Sequence, residues 1–453
     1  MFFLKNRVII AIDIGTSQIK AILYDPDKEK NLISIEKATS DCQILGLPEG
    51  FSELNPTQIL NLVKSTIKEI VSLTPKQTKI IALTFTGAMH GIMFVAPNGK
   101  PLTNLIDWRD RRVEYKGNLK YSVLKDLLTR YDSFWTKNKT GCRPASGYGV
   151  STLYWFASMN RLPQKDAYIC TIADYVASCI AGSPLVTDCT LAASTGFFDI
   201  VNRKWCREIL SEFGTPRIKL PEVVSEKSKI GYWKDIMVFP PSGDHAAAVY
   251  AVLKDRETDA HINIGTGSQV AVCSSKPYFD HQLETRIGLN DSFLLVVAGA
   301  VGGRTLDIWS LMIKNLLPNE KEKYSLDDLL LKAEAIEPGC NGLVMKPLFF
   351  GTRAEPSLRA SLKGISPMNF TLGHLTRSCL EGMVSEWSRG LSVMRKYTKQ
   401  RHKKIYMTGR LLKEKILLKQ IVEEKIGKRV CFVKGSEVSA LGAAQYAASS
   451  LSS

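Results

Sequence analysis

An α/β protein built from two comparable halves is what this 453-residue sequence predicts, and three observations lead there. Apolar runs of strand length alternate with longer segments whose apolar residues recur at helical spacing. The stretch VIIAIDIGTSQIKAILYD (Val8–Asp25) has a second version about 250 residues further on, AHINIGTGSQVAVC (Ala260–Cys273), with asparagine in place of the aspartate. The length also exceeds a single core at ~100–200 residues per domain.

In chain order, the first half opens on the strand–turn–strand pattern of Val8–Asp25. A helix follows an Asn-Pro start in NPTQILNLVKSTIKEIVSL, and then a strand in KIIALTF. Pro240 and Pro241 end a segment in FPPSGDHAAAVYAV, where an alanine-rich helix begins. The boundary is expected near Tyr250, giving domains 1–249 and 250–453. The second half follows the same α/β alternation, with the Gly-Thr turn, helix-like LGHLTRSCLEGMVSEWSRGLSVMRKY, strand-like KIYMTG and a small-residue helix, SEVSALGAAQYAASS.

Composition removes several function classes. Apolar content of 45% and a charged fraction of 23% suit an ordinary globular chain. No uncharged run reaches the ~18–20 residues of a membrane span. Lysine and arginine interrupt MFFLKNRVIIAID, so it reads as mature protein and the expected location is cytoplasmic. Ten cysteines lack a C-x-x-C pair, and Cys170, Cys179 and Cys189 lack zinc-ligand spacing, which favours reduced, mostly buried thiols. The net charge of +16 raises the question of nucleic acid. Its densest cluster, KQRHKK at Lys399–Lys404, has no interleaved aromatics for base stacking and reads as a solvated face. No nucleic-acid partner is expected, though a positive field concentrates an anionic nucleotide.

The Gly-Thr turns carry the first chemistry. Successive backbone N–H groups at such a tip form a concavity for anionic oxygens, with Thr and Ser hydroxyls as further donors. Two tips facing each other would grip a polyphosphate. Asp13 repels phosphate and suits a magnesium ion held through water. Neither G-x-x-x-x-G-K-[ST] nor G-x-G-x-x-G is completed, which disfavours P-loop and Rossmann sites. Asp244, at a glycine turn before a small-residue helix, reads alone as a helix cap. In a cleft it would be exposed, kept ionised by the helix dipole, and able to accept a proton from an attacking alcohol. GAMHG offers Met89 and His90, and WRDRR offers Trp108, Asp110 and Arg112: an apolar contact, an imidazole, an aromatic face, an acceptor and a forked donor, the groups a polyol needs. Singly, His90 and Trp108 read as core residues.

Taken together, DIGTSQIK, GAMHG, WRDRR, SGDHAAAVYAV, NIGTGSQ, AGAVGGRTLDIW, KPLFFGTRAEPSLRASLKGI, LGHLTRSCLEGM, IYMTGRLL and SEVSALGAA resemble the FGGY carbohydrate kinases over nearly the whole chain. The resemblance implies an actin-like, ribonuclease H-like fold of two domains closing over ATP and magnesium. It also implies a catalytic base at Asp244, with Met89, His90, Trp108, Asp110 and Arg112 on the sugar side. Asp13, Gly15, Thr16, Ser17 and Lys20 would lie at the phosphates and magnesium, facing Gly265, Thr266 and Gly267. Gly302, Gly303 and Gly409 would border the nucleoside. TIADYVASCIAGSPLVTDCTLAASTGFFDIVNRKW and ASGYGVSTLYWF resemble the sedoheptulose-phosphorylating branch, while xylulokinase-like enzymes share the Met-His pair and the W-x-D-x-R pattern. The implied reaction phosphorylates the terminal primary hydroxyl of a ketose, with sedoheptulose first and xylulose, ribulose or another polyol as alternatives. A non-catalytic sugar or nucleotide sensor is the alternative from another class. A monomer or homodimer is expected, with sugar and ATP as small-molecule partners. Two departures stand out: Ala88, where the family commonly has glutamine, and TGRLLKEK, where it usually has a glycine run followed by alanine.

Overall fold

The computed structural model describes residues 6–116, 120–131, 139–225, 227–317, 324–352, 355, 357–399, 402–409, 416–433, 435 and 437–451. Contacts divide the chain into two units. One holds Met1–Ala251, Thr285–Phe293 and Glu437–Ser453, and the other holds Val252–Glu284 and Leu294–Ser436.

The first unit is organised by β1 (Arg7–Ile14), β2 (Gln18–Asp25) and β3 (Lys30–Ala38), which pair antiparallel in sequence order. After α1 (Pro56–Leu73), β4 (Lys79–Gly87) returns parallel to β1. The helix starts where expected: the Asn55 side chain accepts from the N–H groups of Thr57 and Gln58, with Pro56 at the first helical position. Further along are α2 (Gly149–Ser158), α3 (Ile172–Ala181) and α4 (Cys189–Ser194). Then β5 (Gly231–Trp233), β6 (Ile236–Val238) and the short β7 (Ser242–Gly243) complete a sheet ordered β5-β6-β4-β1-β2-β3, with β7 also on β4.

The run in β1 is apolar at successive positions because both faces of the strand are covered. Val8, Ile10, Ile12 and Ile14 pack with Ile59, Val63, Ile67 and Ile70 of α1 and with Val176 and Ile180 of α3. Ile9 and Ala11 point the other way, onto Ala440, Ala444 and Ala447. Those alanines belong to the final helix of the chain, so the last described segment completes the core of the first unit.

The second unit repeats the plan. Here β8 (Asp259–Ile264) pairs antiparallel with β9 (Ser268–Ser274), next to β10 (Phe293–Ala300). After α6 (Gly303–Leu316), α7 (Leu326–Glu334) and the 27-residue α8 (Leu372–Thr398), β11 (Lys404–Thr408) returns parallel to β8. Following α9 (Ile416–Ile426), β12 (Arg429–Phe432) pairs parallel with β11, giving the order β10-β9-β8-β11-β12. In both units the central strand has a hairpin partner on one side and a parallel strand on the other. The core of this unit centres on α8, whose Cys379, Met383, Val384, Trp387 and Met394 pack against Ile262, Val270 and Met407. All ten cysteines are free thiols and most are buried.

The final helix, α10 (Val438–Leu451), meets α5 (Asp244–Val252) backbone to backbone, since a Cβ on Gly442 would lie 1.8 Å from the Ala247 carbonyl oxygen. In an exposed helix, Gly→Ala gains about 1 kcal/mol. Here the added methyl must separate two helices, and Gly442→Ala is expected to lower stability by about 2 kcal/mol or more in urea unfolding. A gain would show that the two helices are not in contact.

Candidate active site

Parallel pairing brings two acids together at one end of the first sheet. Asp13 of β1 and Ser242 of β7 both stand opposite Thr86 of β4, and Gly243 stands opposite Gly87. Asp13 and Asp244 therefore emerge at the C-terminal edge, on either side of β4. The tip of the β1–β2 hairpin closes through Gly15 N–H to the Gln18 carbonyl at 3.0 Å. A Cβ on Gly15 would come within 2.8 Å of that oxygen. Thr39 holds the tip from beneath, its hydroxyl donating to the Thr16 carbonyl at 2.8 Å and its N–H to that of Ser17 at 3.1 Å. With the carbonyls engaged, the N–H groups of Thr16 and Ser17 have no hydrogen-bond partner among the described residues. Two adjacent unpaired amides form an anion-binding concavity.

The electrostatics follow from burial. Asp13 is pushed up to about 7, first by desolvation, then by the charge of Asp244, while Lys20, its cross-strand partner, pulls the other way. Its Oδ1 is buried and has no hydrogen-bond partner among the described residues. Lys20 also lies 4.0 Å from Glu36. Asp244 is half-buried rather than exposed, and burial raises it to about 6 against the His245 N–H, 2.7 Å away, and Arg286. The expected exposure of Asp244 is thereby corrected, and desolvation lifts its carboxyl above the ordinary range while leaving it ionised at neutral pH.

The turn before Asp244 is held by groups that sequence reasoning missed. Gly243 N–H donates to the Thr190 hydroxyl at 2.7 Å, and that hydroxyl donates to Asp188. Met89 is buried against the turn, with its Cγ and Sδ 3.0 Å from where a Cβ on Gly243 would sit. His90 has φ of 75°. Its N–H donates to the Ser194 hydroxyl, and its Nδ1 lies 2.9 Å from the Ser194 carbonyl, which assigns the proton to Nδ1. Tyr148 stacks on the imidazole at 4.0 Å and 2°. A signal for these partners existed in TDCTLAASTG, where Asp188 caps a short helix whose hydroxyls face backbone groups.

Trp108 is 43% exposed, so it is not a core aromatic. Asp110 and Arg112 are 1% and 2% exposed and fully engaged with each other. Asp110 Oδ1 accepts from Arg112 N and Nε, and Oδ2 from Arg112 Nη2 and Ser52 N. Arg112 Nη2 also donates to Glu53 at 2.6 Å, and the guanidinium lies 4.6 Å from the Phe51 ring centre and 4.9 Å from that of Trp155. The forked donor of the sequence pattern is thus spent inside the protein.

In the second unit, Gly265, Thr266 and Gly267 form the exposed tip between β8 and β9. The carbonyls of Gly265 and Thr266 accept from Gly303 and Arg304, both at 2.9 Å, so the tip caps the N-terminus of α6. The amides of Thr266 and Gly267 have no hydrogen-bond partner among the described residues. Gly302 and Gly409 are glycines of necessity: a Cβ would lie 2.4 Å from Gly267 in one case and 2.0 Å from the Ile264 carbonyl in the other, where φ is also 124°. The tip is anchored by Trp387, whose indole donates to the Ser268 hydroxyl at 2.8 Å and to the Val301 carbonyl. Arg410 and Leu411 of the TGRLL departure lie outside the described residues.

Two outcomes test these environments. Arg112→Ala leaves buried carboxylates uncompensated and is expected to cost about 3–5 kcal/mol of stability in chemical denaturation. Unchanged stability with altered KM alone would make Arg112 a substrate contact instead. Asp13 has its folded value above the unfolded one, so folding favours its protonated form and its unfavourable contribution grows as pH rises from about 4 through about 7. Asp13→Asn is therefore expected to raise the Tm at pH 8 relative to the wild type and to leave it unchanged below pH 4. A lower Tm at pH 8 would contradict a strained carboxylate.

Comparison with known proteins assigns the lineage. The FGGY carbohydrate kinase N-terminal domain matches residues 8–249 and the C-terminal domain residues 260–451. Sedoheptulokinase of Mus musculus is 27% identical over 493 residues, covering 97% of each chain. Xylulose kinase of Lactococcus lactis is 25% identical over 421 residues, covering 88% of this chain and 79% of the other. A solved Plasmodium falciparum glycerol kinase with ADP shares the fold at a TM-score of 0.81 and 22% identity, covering 98% of this chain and 90% of that one. Among the described residues no helix is long and apolar enough to cross a membrane. With both family domains found in order along the chain, this protein belongs to the FGGY family of carbohydrate kinases, phosphotransferases of actin-like, ribonuclease H-like fold.

Proposed function

We propose that the protein transfers the γ-phosphoryl group of ATP to the terminal primary hydroxyl of a ketose, with sedoheptulose, giving its 7-phosphate, as the first substrate. The observation that carries this reading is the pair of acids at one strand edge, Asp13 pushed to about 7 and Asp244 to about 6. Asp244 is the catalytic base: its carboxylate takes the hydroxyl proton as the new O–P bond forms and the bond to the departing ADP oxygen breaks. A base near 6 is ionised at neutral pH and still basic enough to accept that proton.

The sugar is assigned to residues 1–249, with His90, Trp108 and Met89 as its contacts and Asp110 supporting them. Arg112 acts by positioning, through Asp110. Nε2 of His90 is the acceptor nitrogen in the tautomer assigned above, which suits a sugar hydroxyl. The phosphates are assigned to the unpaired amides of Thr16 and Ser17, with Gly15 and Lys20, and to Gly265, Thr266 and Gly267 of the second unit. Gly302, Gly303 and Gly409 border the nucleoside in residues 250–453. The donor set also fits magnesium: Asp13 Oδ1 is a buried carboxylate oxygen without a partner among the described residues. Asp13 would hold the ion, most simply through water, and the ion supplies charge neutralisation at the β- and γ-phosphates.

Xylulose is the second reading, supported by the comparable similarity to the Lactococcus lactis enzyme. A coupled ADP assay over sedoheptulose, xylulose and ribulose tests the reading, with the highest kcat/KM expected for sedoheptulose. Preference for xylulose would move the assignment within the family, and ATP binding without turnover on any sugar would favour a sensor. Asp244→Asn is expected to lower kcat by ~10²–10⁴ with ATP binding retained. Because Asp244 must be ionised, kcat/KM should fall as pH drops below about 6. A flat profile there, or near-normal turnover by the variant, would remove Asp244 from the role of base.

A further inference from the structure

The KQRHKK cluster is not simply a solvated face. His402, within it, is 7% exposed, and neither ring nitrogen has a hydrogen-bond partner among the described residues. The ring lines a pocket of about 330 Å³ together with Ser388, Ser392 and Arg395 of α8 and Lys428 just beyond α9. Arg395 and Lys428 are exposed, and neither forms an ion pair among the described residues. Leu391 and Ile426 supply the apolar wall. The Lys403 N–H donates to the Thr258 carbonyl at 2.7 Å, which fixes the turn that carries His402.

These groups converge on one kind of ligand. Two cations and the edge of a buried imidazole border the same space, and two serines line it. Burial, then Arg395 and Lys428, hold the imidazole below its ordinary value, while Asp259 acts in the opposite direction from a buried position where it accepts the Asp255 N–H. The ring is thus biased toward its neutral form beside two cations. The volume lies at the lower end for small-molecule pockets, ~300–1,000 Å³. We propose that this pocket binds the phosphate group of a small phosphorylated ligand.

The pocket is separate from the nucleotide tip of the same unit. His402 precedes β11 and Gly409 follows it, so the five-residue strand puts roughly 17 Å between them. The two places are joined by α8: Trp387, which anchors the tip at Ser268, is next in sequence to Ser388.

The test follows the His402 ring by NMR in protein carrying ¹³C-labelled histidine, with His402→Asn identifying its resonance. Inorganic phosphate and a hexose 6-phosphate are titrated separately against chloride at equal ionic strength. A saturable shift of the His402 signal is expected, weakened about ten-fold or more in Arg395→Gln/Lys428→Gln. Tighter binding of the ester than of inorganic phosphate identifies a phosphorylated metabolite as the source, and equal binding identifies phosphate itself. Both replaced side chains are exposed, and Lys428→Gln alone repeats the comparison should the double variant be unstable. An unmoved His402 signal, or the same saturation in the variants, overturns the proposal.

Discussion

Everything at the site of the first unit depends on one electrostatic constraint: two carboxylates are held at the ends of strands flanking β4 with too little water to ionise freely. Burial raises both, the charge of Asp244 raises Asp13 further, and the surrounding structure resists relaxation. Gly243 is fixed by Thr190, Met89 fills the space beneath the turn, and α10 presses its backbone against α5. Such an arrangement costs stability in the free protein and is relieved by positive charge or by a proton donor, which is what a phosphoryl-transfer site receives.

The second unit shows what the same scaffold does without that charge. Asn263 occupies the position in β8 that Asp13 occupies in β1, and it stands opposite Thr408 as Asp13 stands opposite Thr86. The Thr408 hydroxyl donates to Asn263 Oδ1 at 3.2 Å, so the amide is satisfied where Oδ1 of Asp13 is not. Both hairpin tips nevertheless keep two adjacent amides unpaired among the described residues. The duplicated turn thus presents the same pair of unpartnered amides in each half, and the acid is present in one of them.

Local features of this fold were legible in the sequence because local chemistry determines them. The Asn55–Pro56 start of α1, the strand either side of each Gly-Thr turn and the extent of α8 all follow from caps and periodicity. Long-range partners were not. The small residues of α10 signal close packing but not that Ala247 is what they meet. WRDRR reads as a set of polar groups for a sugar, yet the charge of Arg112 is absorbed by Asp110 and by Glu53, 59 residues away. His402 sits in the most basic stretch of the chain and is nevertheless buried. Single residues therefore disclosed chemistry, and pairing disclosed its environment.

The central claim is that Asp13 carries a proton it is ready to lose when positive charge arrives. Calorimetry of magnesium–nucleotide binding at pH 7, in buffers of different ionisation enthalpy, measures that proton directly. With Asp13 near 7, the wild type should release about half a proton more than Asp13→Asn on binding. Identical proton release by the two proteins would contradict the account.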